Sequence, residues 1–455
     1  MRKIKSPEYE YMEQQLKLPI RKVVTAFDNF MKFEASGGVL LLLSTIVALV
    51  WANSPFADSY FELWHMKATI GIGGFVLNKS LEHWINDGLM AMFFFVIGLE
   101  IKRELLIGEL SSPKKAALPI VAAIGGIVLP ALIFLFLNPS APESSGWGIP
   151  VATDIAFAIG VLALRGDRVP LSLKIFLTSL AIVDDIGAVL IIALFYTSDI
   201  SLINLLIGAC FMVALIAANW MGIRSTLLYA VLGIGGLWLA FLLSGIHSTI
   251  AGVLAAMAIP AQTRINADEF VEKGRYYLDK FSEASEKNLS ILGNSKQLYA
   301  AESVESASKL VQTPLQRLEH ALHPWVIYVV MPLFALANAG VTIDANLFSV
   351  LKHPVTYGIV AGLFIGKQAG ITLFSWIAVK IGIADLPRGV SWKQVYGLGC
   401  IAGIGFTMSI FIAGLAFSDP EILKLAKLGI LIASFISGVA GFLILGRKSI
   451  QPSSA

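Results

Sequence analysis

Two adjacent carboxylates, Asp184 and Asp185, sit in the middle of the apolar run from Leu171 to Phe195. As a helix that run is about 37 Å long, enough to cross a bilayer. An ionised aspartate at the centre of such a helix costs about 2.5–3.5 kcal/mol to insert. A chain that carries two in a row must give both of them partners or a task. Successive helical residues point about 100° apart, so the two carboxylates face different neighbours.

The rest of the chain is built for the same medium. It is 56% hydrophobic and 14% charged, where a soluble domain has about 25% charged residues. The reading is an all-α polytopic membrane protein. About twelve apolar spans are expected, near 36–52, 84–101, 116–137, 149–164, 171–195, 202–220, 226–243, 245–260, 324–341, 355–380, 394–417 and 425–446. With the N-terminus inside, Lys and Arg concentrate in the inside segments, which places both termini in the cytoplasm. Cys210 and Cys400 lie in apolar runs, so neither a disulfide framework nor a zinc site is implied.

Five segments follow from this pattern. Residues 1–34 form a polar, basic tail in which Val23, Val24, Phe27, Phe30 and Met31 share one helical face; an interfacial helix and a solvated tail are both compatible with it. Residues 35–260 hold the first eight spans. Within them an external hairpin at 66–80 shows β-branched alternation around Gly73 and Gly74. A lone exposed hairpin is marginal, and its edge is open to a second copy. Residues 261–322 are charged and mixed in sign, with Phe270, Tyr277, Leu278 and Phe281 on one helical face. They read as a cytoplasmic helical hairpin, with a disordered linker as the alternative. Residues 323–446 hold the last four spans, and 447–455 are a cytoplasmic tail.

The neighbours of the aspartate pair come from three other spans. Span four carries Asp154 beside Thr153, just after Gly148 and Pro150, which weaken a helix locally. Span eleven repeats its pattern, pairing Thr153 with Thr407, Phe157 with Phe411 and Gly160 with Gly414, and it runs in the opposite direction. Broken helices in matching halves mark an inverted-repeat transporter with a midplane site. Span ten puts Lys367 roughly 20 Å from either end, too deep to snorkel. Three carboxylates and one ammonium at one depth make a polar site of hard oxygen ligands, suited to a small hard cation. The bland alternative is a buried ion-pair network that only fixes helix packing, but one lysine cannot neutralise three aspartates.

Other ionisable groups are less specific. Glu100, Lys102, Arg103 and Glu104 close span two on the inside, as an ordinary border or as a charge-sensing mouth. Glu319, His320 and His323 stand before span nine on the same side, where histidine titration invites a pH sensor. His247, at the outer start of span eight, reads as a polar cap.

The chain resembles the NhaA-type bacterial sodium/proton antiporters, themselves a standard case of inverted-repeat construction. The likeness runs from Ala35 to about Gly446. It rests on Trp84-Ile-Asn-Asp-Gly-Leu-Met-Ala, Gly98-Leu-Glu-Ile-Lys-Arg-Glu-Leu, Ala152-Thr-Asp-Ile-Ala-Phe-Ala and Ile182-Val-Asp-Asp-Ile-Gly-Ala. It continues in Leu318-Glu-His-Ala-Leu-His-Pro-Trp, Gly366-Lys and Gly403-Ile-Gly-Phe-Thr-Met-Ser-Ile-Phe. The resemblance implies twelve helices, with spans four and eleven broken and crossing near the site. It implies that Asp154 and Asp185 carry sodium and protons, that Asp184 pairs with Lys367, and that Thr153 assists. It implies a homodimer through the external hairpin, and pH control through Glu100, Arg103, Glu104, Glu319, His320 and His323. The long 261–322 segment departs from the short linker of the best-known member, at the place where the presumed sensor begins.

The resulting expectation is a secondary active transporter, not an enzyme, in the cytoplasmic (inner) membrane of a bacterium. It would exchange intracellular sodium or lithium for extracellular protons, electrogenically and under pH control, with no cofactor and no nucleic-acid partner. Three rivals remain distinguishable. A sodium-coupled organic anion carrier needs a further basic group at mid-membrane, and none is present in the sequence. An intramembrane aspartyl protease usually has Gly-x-Gly-Asp, which is also lacking. An ion channel would pass sodium without proton coupling.

Overall fold

The computed structural model describes residues 36–72, 75–197, 200–284, 294–343 and 347–446. The expected interfacial helix in 1–34, the tail 447–455 and the hairpin turn at 73–74 lie outside them. The described chain is mostly helical. Its elements are α1 (Ser36–Ala52), α2 (Ala57–His65), β1 (Lys67–Ile72), β2 (Phe75–Ser80), α3 (Met90–Ile107), α4 (Pro113–Leu137) and α5 (Ile155–Ala163). They continue as α6 (Leu171–Phe195), α7 (Leu202–Trp220), α8 (Thr226–Leu242), α9 (Ser248–Ala258), α10 (Ala267–Glu283) and α11 (Ser295–Val311). The last are α12 (Pro314–Asn338), α13 (Leu347–Lys352), α14 (Pro354–Lys380), α15 (Trp392–Ala402), α16 (Phe406–Ala416) and α17 (Pro420–Leu445).

Among the described residues six helices are long and apolar enough to cross a membrane alone: α4, α6, α7, α12, α14 and α17. Three bent pairs qualify together: α1 with α2 at 113°, the 3-10 stretch Glu143–Val151 with α5 at 42°, and α15 with α16 at 46°. Helices α8 and α9 are shorter and apolar. The sequence pattern missed α2, a short amphipathic helix that buries Tyr60 and Trp64. The Tyr60 hydroxyl donates to the Leu336 carbonyl at 2.8 Å and so ties α2 to the end of α12. The β1–β2 ladder is antiparallel, from Lys67 opposite Ser80 to Ile72 opposite Phe75.

Helix α12 starts ten residues before the expected span. The expected apolar span begins at Pro324. Instead Pro324 lies inside the helix and is followed by a π-helical stretch, Val326–Val330, that adjusts the ladder around it. Thus Glu319, His320 and His323 sit on the same continuous helix as the span and not ahead of it.

The tightest helix contact is between α4 and α14. A Cβ on Gly125 would strike the Gly370 carbonyl oxygen, and one on Gly370 would strike the Gly125 carbonyl. Small residues are what allow two membrane helices to come this close. The same contact lays the Lys367 stem across Gly126, so backbone proximity fixes where that ammonium can reach.

Segment 261–322 contains α10 and α11, which pack on each other. Its two ends are pinned together. The Arg264 N–H donates to the Leu310 carbonyl at 3.0 Å, and the Leu315 N–H donates to Pro260 at 3.2 Å.

Candidate functional site

The two sequence breaks face each other. Residues 152–154 leave the helical ladder after Pro150, with Ala152 and Asp154 extended. Residues 403–405 leave it between two glycines. Each break then completes the other's hydrogen bonding. The Asp154 N–H donates to the Ile404 carbonyl at 2.7 Å. The Thr153 hydroxyl donates to the Ala402 carbonyl at 2.9 Å, and the Ser409 hydroxyl to Ile149 at 2.7 Å. Unsatisfied backbone inside a bilayer costs several kcal/mol per group, so this exchange is what makes the breaks tolerable.

Asp154 is the first residue this arrangement positions. It caps α5, accepting from the Phe157 N–H at 3.0 Å. Its other oxygen accepts from the Thr407 hydroxyl at 2.5 Å and the Thr407 N–H at 3.1 Å. Both residues are fully buried. Thr407 was legible only as a symmetry mate of Thr153; the structure makes it a direct partner of the carboxylate.

The neighbouring pair divides its work. Asp184 Oδ2 accepts from Lys367 Nζ at 2.5 Å and from the Thr153 hydroxyl at 2.8 Å. Thr153 therefore stands within hydrogen-bond distance of both Asp184 and the second break, and its single hydroxyl hydrogen is shared or switched between the two acceptors. Asp185, 1% exposed, has no hydrogen-bond partner on either oxygen among the described residues. It lies within electrostatic reach of Asp184, Glu100, Asp154 and Lys367. The two adjacent carboxylates do face different surroundings, one held and one unheld.

A cavity of about 460 Å³ opens beside the Leu171 end of α6, lined among others by Glu104, Ile159, Lys174 and Thr178. Thr178 and Asp185 are two helical turns apart on one face of α6.

The titratable cluster forms one surface between α3 and α12. Arg103 pairs with Glu319 and, at 3.3 Å, with Glu104. His323 Nε2 stands 3.7 Å from Glu100. His320 lies on the exposed side of α12. Lys102 does something the sequence did not announce: its ammonium donates to the carbonyls of Met257 at 2.6 Å and Ile259 at 2.5 Å, closing the end of α9. His247 stands at the N-terminus of α9, but its ring caps no backbone N–H there; it lies 2.7 Å from the Thr249 hydroxyl and 3.6 Å from Asp87.

With that geometry in place, a model of the Na+/H+ antiporter 1 family matches residues 28–445. The chain belongs to this family. A Na+/H+ antiporter NhaA of Oleidesulfovibrio alaskensis is similar to it at 53% identity, across 94% of this chain and 95% of its own length. An antiporter of the same name, numbered 2, from Syntrophotalea carbinolica is 51% identical, across 93% and 96%. One from Koribacter versatilis is 48% identical, across 95% and 93%. The antiporter is thus a multi-pass membrane transporter and not an enzyme. This chain and these relatives match across more than nine-tenths of both lengths.

Proposed function

We propose that this antiporter exchanges intracellular sodium, or lithium, for extracellular protons by alternating access, with Asp154 and Asp185 as the shared carriers. Support for the carrier roles comes from one contrast. Lys367 and Thr153 both engage Asp184 through Oδ2, leaving Oδ1 without a hydrogen bond, whereas Asp185 is buried with neither oxygen engaged among the described residues. A buried carboxylate without a partner is costly unless it binds something. Protonation or a small cation would each relieve that cost, and they cannot do so together.

Competition for the same oxygens is then the coupling. A sodium ion needs ionised carboxylates, and hydroxyl and carbonyl oxygens at the breaks would complete its hard-oxygen shell. Release of sodium to the outside is followed by protonation, and the protonated site returns inward. Two protons per sodium would carry one net charge per cycle and make the exchange electrogenic. In this reading the chain has twelve spans with both termini in the cytoplasm, and the breaks cross near the midplane of a bacterial inner membrane. The Glu100, Arg103, Glu104, Glu319, His320 and His323 cluster sets the pH response, and the β1–β2 hairpin joins two copies.

The test is proton flux in sealed vesicles holding the purified protein, with sodium, lithium and potassium added in turn. Sodium should release protons and potassium should not. If one proton must leave first, the sodium half-saturation rises about tenfold per pH unit on the acid side. A half-saturation that stays flat from pH 6 to 9, a window on the order of three units around neutrality, would rule out competition even if sodium moves. Sodium flux without proton flux would identify a channel.

A further inference from the structure

Helix α5 is only nine residues long, and its first turn is capped by Asp154 itself. Any rotation or slide of α5 therefore displaces a carboxylate of the ion site. One end of this helix is tethered through Asp154 to Thr407 and Ile404. What holds the other end decides how precisely Asp154 is aimed.

The residue there is Arg165, just past the end of α5. Its guanidinium lies over the Phe442 ring, 3.4 Å from the ring centroid. Its Nε donates to the Phe442 carbonyl at 2.7 Å, and its terminal nitrogen donates to the same oxygen. Phe442 is in the last turn of α17, where carbonyls have no N–H partner within the helix and the dipole favours a cation. One turn on, a side chain at Gly446 would collide with the guanidinium. Ring, free carbonyl and glycine on one face of α17 form a fitted socket for an arginine, whose planar fork can stack and donate together.

We infer that Arg165 is a positioning residue for exchange: it couples α5, and hence Asp154, to α17, and the tie persists through the transport cycle. Helix α16, which carries Thr407, also packs on α17. Both ends of α5 are thus referred to the same partner, so Asp154 and Thr407 keep their geometry while the site changes the side it faces. The inference rests on the exchange reading above.

The test uses the whole protein in proteoliposomes, reading sodium half-saturation and maximal rate separately. Arg165→Ala should raise the half-saturation roughly tenfold, with the maximal rate much less affected. Arg165→Lys, which keeps the charge but not the fork, should fall between. Phe442→Leu, which removes the ring and keeps the carbonyl, should do the same. Parent-like half-saturation in Arg165→Ala would overturn the inference, as would a change confined to thermal stability. A second arm covers a variant that folds poorly. In a Cys210→Ser background, R165C/F442C is joined by a short thiol-reactive cross-linker. Joining should restore the half-saturation toward the parent value. Loss of exchange on joining, in protein that exchanges before joining, would mean that the two segments part in each cycle, against the inference. Absence of sodium-driven proton flux in the parent protein would overturn the exchange reading instead.

Discussion

Lys367 donates to Asp184 at 2.5 Å with neither side chain exposed. Removing one member of a buried pair leaves the other charge uncompensated and costs about 3–5 kcal/mol. Asp184→Asn and Lys367→Met should each lower the unfolding temperature in detergent. The double variant should be milder than the sum of the two, because it leaves no lone charge. Single variants that melt with the parent protein would show that the pair does not hold the fold.

Asp185 should behave in the opposite way. Its oxygens make no hydrogen bond among the described residues, so Asp185→Asn removes a buried charge without breaking a contact. Exchange should be abolished while the unfolding temperature stays level or rises. A variant that still exchanges sodium for protons at the parental rate would remove Asp185 from the carrier role.

Thr407 should matter through its hydroxyl. Thr407→Val keeps the shape and deletes the 2.5 Å bond to Asp154, a hydrogen bond to a charged group worth about 1.5–3 kcal/mol. Sodium half-saturation should rise by about one to two powers of ten, and Thr407→Ser should recover most of it. A parent-like valine variant beside a defective serine variant would mean that the methyl group, not the hydroxyl, is what the site needs.

The pinned ends of the 261–322 segment carry a prediction of their own. Because Arg264 with Leu310 and Leu315 with Pro260 already close its base, replacing residues 267–308 by a short linker should leave α12 in place. Maximal exchange should persist, with the pH dependence shifted. Loss of exchange in correctly inserted protein would make the segment part of the transport machinery.

Most of the candidate site was legible because the bilayer makes each charge conspicuous. Asp154, Asp184, Asp185 and Lys367 stand out in apolar runs, and depth arithmetic alone brings them together. What could not be read was main-chain bonding. Nothing in the identities of Ala402 and Ile404 says that their carbonyls accept from Thr153 and Asp154, because every residue has a carbonyl. Arg165 was hidden for a similar reason. Its partner is another main-chain oxygen, freed only because α17 ends within the next turn. The start of α12 was misplaced because the apolar run begins only near Pro324, while the helix itself starts in the polar, amphipathic stretch from Pro314.

The reciprocal bonding of the two breaks sets an order on biosynthesis. Thr153 and its acceptor Ala402 are 249 residues apart in the chain. At about 5–20 residues per second, the ribosome needs on the order of tens of seconds to cover that distance. Throughout that interval the first break is already made and has no counterpart, so its free amide and hydroxyl must be met by water or by the insertion machinery. A chain cut short before residue 402 never acquires those acceptors, and its first break stays without a counterpart in the lipid. Pairing of the two breaks is therefore a late event in assembly, possible only after residue 402 has been made.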